Sequence, residues 1–288
     1  AAGTRFAIIR KSFVLRDAQG AVHLVADAHY DRDAAAARAA GLVVGSYGFF
    51  SFAKNAPSAA AQVTSLLHAP GDVIRGRDLP YCVDVEFPGG IADTGRTQAE
   101  VFSFLLDLIT EVRRQADVSP LIYTSHGQWH DSNGLGGPDA AILDGCPLWL
   151  KTAYRLPAGQ PVDQVAPPQP HIGTTSWDPH NYWRVPGPWD NQGWWLQQYQ
   201  GDAVGYPGFT RTVDVNQLLA VDASSVDAPR IAWIQARLRI LGAPFSGPIA
   251  ITGKWDSDTD GAVRAFQTSR NMQADGIVGI RTFAALSW

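Results

Sequence analysis

Leu79-Pro-Tyr-Cys-Val-Asp-Val-Glu86, followed at once by Phe87-Pro-Gly-Gly90, is the stretch on which the fold of this chain turns. Its tyrosine, cysteine and valines suit a pleated, buried strand, and the Pro-Gly-Gly ends it, so Pro80 to Glu86 reads as a strand. Outward from it, residues 5–10 form a short β-prone run and residues 31–41 an alanine-rich helix closed by Gly41. Leu42 to Phe50 reads as a buried strand, and Pro57 to His68 as a helix with proline in its first turn. Thr97 to Gln115 is a long helix and Pro120 to Thr124 another strand. Strand alternating with helix predicts an α/β fold around a mostly parallel sheet, open or closed into a barrel. The alternation fades after Leu148–Tyr154 into a proline- and tryptophan-rich stretch, 155–193. Beyond it come a strand-like Trp194–Tyr199 and a short helix from Asp214.

On a strand, residues i and i+2 face the same side, so Asp84 and Glu86 point together with Cα atoms roughly 7 Å apart. Both fall at the carboxyl end of a parallel strand, where α/β folds place their active sites. Two nearby carboxylates cannot both ionise cheaply, so one takes up a proton more readily and can serve as a general acid. Protonating a glycosidic oxygen needs such a group. The competing reading is an Asp-x-Glu that only caps the next loop. The chain has three glutamates. Glu100, in Thr97-Gln-Ala-Glu100, reads as half of a capping box. Glu111 reads as the partner of Arg114 in a surface ion pair. Glu86 is the remaining candidate proton donor of its type.

Composition narrows the classes. Apolar residues at 45% and charged residues at 17% make an ordinary globular balance. No apolar run approaches the roughly 18 residues of a membrane helix, so no membrane partner is expected. A net charge of −4 argues against a general nucleic-acid binder. Cys82 and Cys146 cannot form a disulfide scaffold, and Cys82 reads as a small core residue. His126, His130, His171 and His180 fall in polar loops without ligand spacing, so neither a metal nor another cofactor is expected. The amino terminus shows no basic segment followed by an apolar core, so no secretory signal is expected. Tryptophans of the 155–193 stretch, Trp177, Trp183 and Trp189, either stack on sugar rings or pack the loop onto the domain.

Ala220 to Pro229 is small, polar and proline-terminated, as linkers are. Ile231, Ile234, Leu238 and Leu241 then recur at helical spacing and open a second, small domain. That domain holds an internal echo: Gly253 precedes Thr259 by six residues, and Gly276 precedes Thr282 by six. The expected organisation is a domain over 1–220, a linker over 221–229 and a small domain over 230–288.

Six blocks come in an order that resembles glycoside hydrolase family 25, the Chalaropsis-type lysozymes. They are Gly41-Leu-Val-Val-Gly-Ser-Tyr-Gly-Phe-Phe50, Leu79 to Glu86, Leu121-Ile-Tyr-Thr124, Leu148-Trp-Leu150, Trp195-Leu-Gln-Gln-Tyr199 and Val213-Asp-Val-Asn216. The resemblance implies a flattened β/α barrel that cleaves the β-1,4 bond between N-acetylmuramic acid and N-acetylglucosamine, with help from the substrate's own acetamido group. It implies Glu86 as general acid/base, Asp84 as the group that steers the N-acetyl group or the developing cationic sugar, and Asp214 as a further carboxylate. Tyr47, Tyr123, Trp149, Gln197 and Tyr199 would bind substrate. The chain departs from the family in three places. The family's first strand, with an Asp-x-Ser whose aspartate joins the site, is expected to be absent, because Ala1-Ala-Gly-Thr-Arg-Phe matches the family's residues just after that strand. Gly48 stands where the family has histidine, and Lys151-Thr-Ala-Tyr154 is spaced unlike the family's Trp-x-Ala-x-Tyr.

The carboxyl-terminal region resembles the peptidoglycan-binding domain 1 family through Ile234-Gln-Ala-Arg-Leu238, Gly253-Lys-Trp255, Thr259, Ala262-Val-Arg-Ala-Phe-Gln267 and Asp275-Gly-Ile-Val-Gly279 with Thr282 and Phe283. This implies a three-helix module that holds a hydrolase on the wall and raises its local concentration there. Trp255 is either core or contact. The combined expectation is a muramidase with bacterial peptidoglycan as partner, most like a phage endolysin or a tail-borne wall hydrolase released at lysis or carried on a virion. The alternative is a catalytically silent wall-binding or tail-structural protein on the same fold.

Overall fold

The computed structural model describes residues 4–131, 133–138, 143, 145–152, 187–189, 194–203, 213–242 and 249–288. The expected α/β architecture is present as one eight-stranded sheet in the order β2-β1-β3-β4-β5-β6-β7-β8. Its strands are β1 (Phe6–Arg16), β2 (Val22–Ala26), β3 (Val43–Phe49), β4 (Tyr81–Asp84), β5 (Leu121–Ser125), β6 (Leu148–Lys151), β7 (Leu196–Ala203) and β8 (Val213–Leu218). From β1 through β7 the pairing is parallel, while β2 on β1 and β8 on β7 are antiparallel. The sheet is not closed into a barrel: among the described residues β2 and β8 are its edges.

At both edges the sheet differs from the sequence reading. The first strand runs on to Arg16 and folds back as a hairpin instead of ending near Arg10. Asp17 makes this turn, its carboxylate accepting from the backbone N–H groups of Gln19 and Ala21 at 3.0 and 2.8 Å. Gly20 supplies the positive φ of 83°. The segment from Asp214, expected to be helical, is β8; valines at 213 and 215 stiffen it, and β7 supplies the ladder.

Helices α1 (Tyr30–Ala39), α2 (Ala59–His68) and α3 (Gln98–Ala116) follow β2, β3 and β4, and a short α4 (His126–His130) follows β5. Ser58 caps α2, so Pro57 lies just outside the helix and not in its first turn. Thr97 and Glu100 form the expected capping box, with Glu100 N–H to Thr97 Oγ1 at 3.2 Å and Thr97 N–H to Glu100 Oε2 at 2.7 Å. Glu111 pairs with Arg114 at 2.7 Å. Val101, Leu105, Leu108, Ile109 and Val112 fall at helical spacing on one face of α3 and are buried with α2 against Val83 and Ile122 of the sheet.

The last helices are α5 (Ala228–Ile240), α6 (Ser257–Ser269) and α7 (Ile280–Leu286). The internal echo is structural. Gln235 of α5 donates to Thr259 Oγ1 at 2.9 Å and accepts from Gly253 N–H at 3.0 Å. Gln267 of α6 donates to Thr282 Oγ1 at 3.1 Å and accepts from Gly276 N–H at 3.0 Å. Each buried glutamine ties a left-handed glycine loop to the first turn of the next helix, so its amide is satisfied inside the module. The stretch 221–229 is held at both ends: Val221 is buried and bridged to Val278, and Asp227 caps α5. Ile231, Ile234, Leu238 and Phe283 share one core with Val43, Leu79, Leu121 and Trp195, residues at the amino ends of the parallel strands.

Candidate active site

Cross-strand register sorts the sheet into two faces. Tyr47 pairs with Cys82, Phe49 with Asp84, Asp84 with Tyr123, and Tyr123 with Trp149. Lys151 pairs with Gln198 and Gln198 with Asn216. Directly paired residues point the same way, so these side chains share the face turned away from α2 and α3. Tyr123 and Trp149 pack with ring centroids 4.5 Å apart and planes tilted by 57°, and Tyr47 meets Trp149 edge-on at 6.5 Å. Trp149 Nε1 donates to Asn216 Oδ1 at 2.8 Å, and the Tyr123 hydroxyl donates to Gln198 Oε1. An aromatic floor thus lies beneath the carboxyl ends of β4 to β6.

Asp84 and Glu86 rise from that floor. Asp84 is 6% exposed, and its Oδ1 has no hydrogen-bond partner among the described residues. Burial pushes its carboxyl well above the usual carboxylate range; the charge of Glu86 adds to this, Lys151 opposes it and Asp214 adds further. Glu86 stands two residues on, its Oε1 accepting from Lys151 Nζ at 2.5 Å. The backbone around it is pinned. Val85 N–H donates to the Tyr123 carbonyl at 2.8 Å, Thr124 Oγ1 donates to the Val85 carbonyl at 3.2 Å, and Phe87 N–H donates to Gln128 Oε1 at 2.8 Å. Burial and then the charge of Asp84 push the Tyr47 phenol up to about 12, and Tyr123 is raised by burial and by Glu86. Both phenols stay neutral hydrogen-bonding groups at physiological pH. A cleft of about 340 Å³ opens beside Glu86, lined by Phe49, Phe50, Phe52 and Phe87 and flanked by Arg16 and Asp93. The arrangement offers a hydrogen-bonded carboxylate at the cleft and, beside it, a buried carboxyl that burial pushes toward its protonated form above an aromatic floor.

The structure brings Tyr47, Asp84, Glu86, Tyr123 and Trp149 together. Asp214 sits exposed on β8, close enough to contribute to the electrostatics of Asp84, Tyr47 and Tyr123. Two expected site residues lie elsewhere. Gln197 is fully buried on the opposite face, donating to Thr152 Oγ1 at 3.0 Å and accepting from Gln217 at 2.5 Å. Its neighbour Gln198 is the one that reaches Tyr123, because consecutive strand residues alternate faces. Tyr199, at the irregularity that follows, packs against Val213 and Val215 instead of joining the aromatic floor. Sequence reasoning also passed over Gln128, Asn216 and Lys151. Asn216 and Lys151 lie within or beside the family-like blocks, and counting parity from Asp214 and Trp149 would have placed both on the inner face.

His126 and His130, expected in a loop, form the ends of α4 and stack at 4.4 Å. Cys82 and Cys146 are buried thiols not joined in a disulfide. Trp189 is a core residue, its Nε1 donating to the Cys146 carbonyl at 2.8 Å and its ring meeting Trp129 at 5.0 Å. Trp177, Trp183, His171, His180 and Tyr154 lie outside the described residues.

Comparison with known proteins agrees with this geometry. The model of the family described as glycosyl hydrolases family 25 matches residues 12–185, and that of a putative peptidoglycan binding domain matches residues 227–286. Comparison with curated proteins gives no match. Among solved structures, a muramidase from Acremonium alcalophilum is similar at 23% identity and a TM-score of 0.53, covering 77% of this chain and 85% of that one. A bacterial lysozyme from Streptomyces coelicolor is similar at 20% identity and a TM-score of 0.52, covering 75% and 82%. A muramidase from Trichobolus zukalii is similar at 19% identity and a TM-score of 0.51, covering 79% and 88%. At these identities the likeness is one of fold.

Proposed function

The chain belongs to glycosyl hydrolase family 25, and from that premise we propose that it is an N-acetylmuramidase, cutting the β-1,4 bond between N-acetylmuramic acid and N-acetylglucosamine. A glycoside hydrolase domain followed by a peptidoglycan-binding domain makes it a peptidoglycan hydrolase that works on the bacterial cell wall. The bond is the finer step, and the observation that carries it is the pairing of two unlike carboxyls at one strand end. Glu86, pinned through Val85 and Phe87 and open to the cleft, protonates the leaving glycosidic oxygen. Asp84, buried and protonated, has an acceptor oxygen without a partner among the described residues and orients the substrate's acetamido group. Asp214 adds negative charge that favours the developing cationic sugar. Tyr47, Tyr123 and Trp149 present ring faces to the apolar faces of the sugars. We read the setting as that of a phage lytic enzyme, on the pairing of a hydrolase domain with a wall-binding domain, reaching the wall at host lysis or on a virion.

The test uses purified cell walls. The chain should release reducing ends of N-acetylmuramic acid, and Glu86→Gln should lose activity by about 10²- to 10⁴-fold while still binding walls. Reducing ends carried by N-acetylglucosamine would refute the bond assignment. A Glu86→Gln protein that cleaves as fast as the unmodified one would refute the role of Glu86.

A further inference from the structure

A second cavity, of about 580 Å³, lies at the end of the sheet away from the cleft, and no role assigned so far uses it. It is bounded by the carboxyl ends of α2 and α3, by Tyr81 at the start of β4 and by Trp288 just beyond α7, so the hydrolase domain and the wall-binding region build it together. Glu86 stands roughly 16 Å further along the strand that Tyr81 opens. Trp288 is fixed in place: its Nε1 donates to the Asp78 carbonyl at 2.7 Å, and its ring meets Tyr81 edge-on at 6.1 Å. The guanidinium of Arg75 lies over the Trp288 ring, 5.2 Å from its centre, and donates from Nη2 to the Ala116 carbonyl.

The polar atoms left over here are mostly donors. Arg75 Nη1 comes only within 3.9 Å of Asp117, past hydrogen-bonding range. Arg114 spends Nε and Nη2 on Glu111, at 3.0 and 2.7 Å, which leaves its Nη1. Gln115 donates to the same Glu111 oxygen at 2.8 Å, so that acid already has three donors of its own. The Tyr81 hydroxyl, kept neutral because burial raises its pKa against the pull of Arg75, makes no hydrogen bond among the described residues. The side chains of Arg75 and Arg114 are 55% and 63% exposed, so both can be reached from solvent. We propose that this cavity is a second peptidoglycan site, which takes the carboxylate of a peptide stem on Arg75 and Arg114 while the rest of the muropeptide lies against Trp288 and Tyr81. The inference rests on the reading of the chain as a peptidoglycan hydrolase. Planar guanidinium groups suit a carboxylate, and an indole beside a phenol offers an apolar ring and a hydroxyl to a sugar or a peptide. The volume is that of a small-molecule site. Because the cleft opens at the other strand ends, a strand held here is not the one being cut. The site therefore adds a contact to a neighbouring strand and keeps the enzyme on the wall between cuts.

The indole of Trp288 reports on the cavity directly. The ¹⁵N-labelled chain gives 10 indole N–H signals, one per tryptophan, and Trp288→Phe assigns the one that matters. The probe is a soluble muropeptide, one disaccharide with its peptide stem, titrated into the full chain. It should move the Trp288 signal to saturation. Arg75→Gln and Arg114→Gln should each raise the half-saturating concentration by about tenfold, the low end for a hydrogen bond to a charged group because both side chains are partly solvated. A muropeptide with its stem carboxylates amidated should bind the unmodified chain more weakly by at least as much. The other indole signals, unmoved in the free variants, report that the fold is intact, and should Arg75→Gln not fold, Arg114→Gln and the amidated probe carry the test. A Trp288 signal that stays in place at millimolar muropeptide would overturn the proposal. So would half-saturation unchanged by the arginine variants and by amidation, or a response to soluble poly(glycerol phosphate) as strong as that to the muropeptide. Reducing-end release from cell walls separates the two failures: cleavage without a Trp288 response removes the second site alone, whereas a chain that cleaves no wall removes the reading on which the site rests.

Discussion

The ring of Trp195 lies against that of Phe283, with centroids 4.5 Å apart and planes 21° from parallel. Trp195 enters β7, and Phe283 belongs to α7. Trp233 of α5 closes on both, at 4.8 and 5.5 Å. Around them Arg230 donates to the Trp194 carbonyl at 2.9 Å, Arg281 to the Gly41 carbonyl at 3.2 Å, and Trp288 Nε1 to the Asp78 carbonyl at 2.7 Å. These are contacts to the amino ends of strands or the turns before them, whereas Asp84 and Glu86 stand at the carboxyl ends. The wall-binding helices therefore form a floor to the sheet on the side opposite the cleft. Phe283→Ala opens a void in a shared core and should cost about 3–5 kcal/mol. Thermal unfolding followed by tryptophan fluorescence and by residual activity should fall together, in one transition at a lower temperature. Loss of the helical module alone, with the hydrolase transition unmoved, would contradict the shared core.

Lys11 tests the interior on the other side of the sheet. It is 1% exposed on β1, its ammonium reaching the Leu67 carbonyl at 3.3 Å and lying 5.4 and 5.6 Å from the ring centres of Tyr30 and Tyr81. Burial lowers its pKa to about 8 from 10.5. A lysine depressed in the folded state costs stability in full below the folded value, and the cost fades as pH rises from there toward the unfolded value. The difference corresponds to roughly 3 kcal/mol at neutral pH. Lys11→Met, similar in length and without the charge, should raise stability at pH 7 by about 1–3 kcal/mol and show little gain near pH 10.5. Urea melts at the two pH values measure this.

Thr97 makes a local test. Its hydroxyl and the Glu100 carboxylate satisfy the first free N–H groups of α3 reciprocally. Thr97→Ala should lower stability by about 1 kcal/mol and leave kcat unchanged, since α3 touches the site only through the core. A large fall in kcat at unchanged stability would show that α3 does more than support the sheet.

These sites differ in how far they could be read from the chain. The capping box, the Asp-x-Glu and the glycine–threonine echo are local patterns, each fixed within a few residues by helix or strand geometry, and each is found where the sequence places it. The side of β7 that faces the cleft depends on a single residue of parity. Choosing Gln197 over Gln198 reversed it, and the irregularity after Gln198 then turned Tyr199 away. Asp214 to Leu218 could be taken for a helix because its partner strand lies beyond an intervening segment with no simple pattern. The pairs Lys151–Glu86 and Trp195–Phe283 join residues far apart in sequence, so no spacing signals them.

Asp84 joins function to stability. Burial, and after it the neighbouring acids, push its carboxyl well above the usual carboxylate range, and one oxygen lacks a partner among the described residues. An aspartate raised in the folded state costs nothing below its unfolded pKa of about 3.9. As pH rises through that value the unfolded chain ionises freely and the folded one does not, so stability falls until the folded group also ionises. Asp84→Asn keeps the shape and removes the titration. It should melt at a higher temperature than the unmodified protein at pH 7 and at nearly the same temperature at pH 3. Its activity on cell walls should fall, but by less than the about 10²- to 10⁴-fold expected of Glu86→Gln, because Asp84 orients the acetamido group and passes no proton to the leaving oxygen. Calorimetry at the two pH values and reducing-end release at the pH optimum measure both halves. Equal activity losses in the two variants would make Asp84 a proton-transfer group, and a lower melting temperature at pH 7 would mean that the buried carboxyl stabilises the fold.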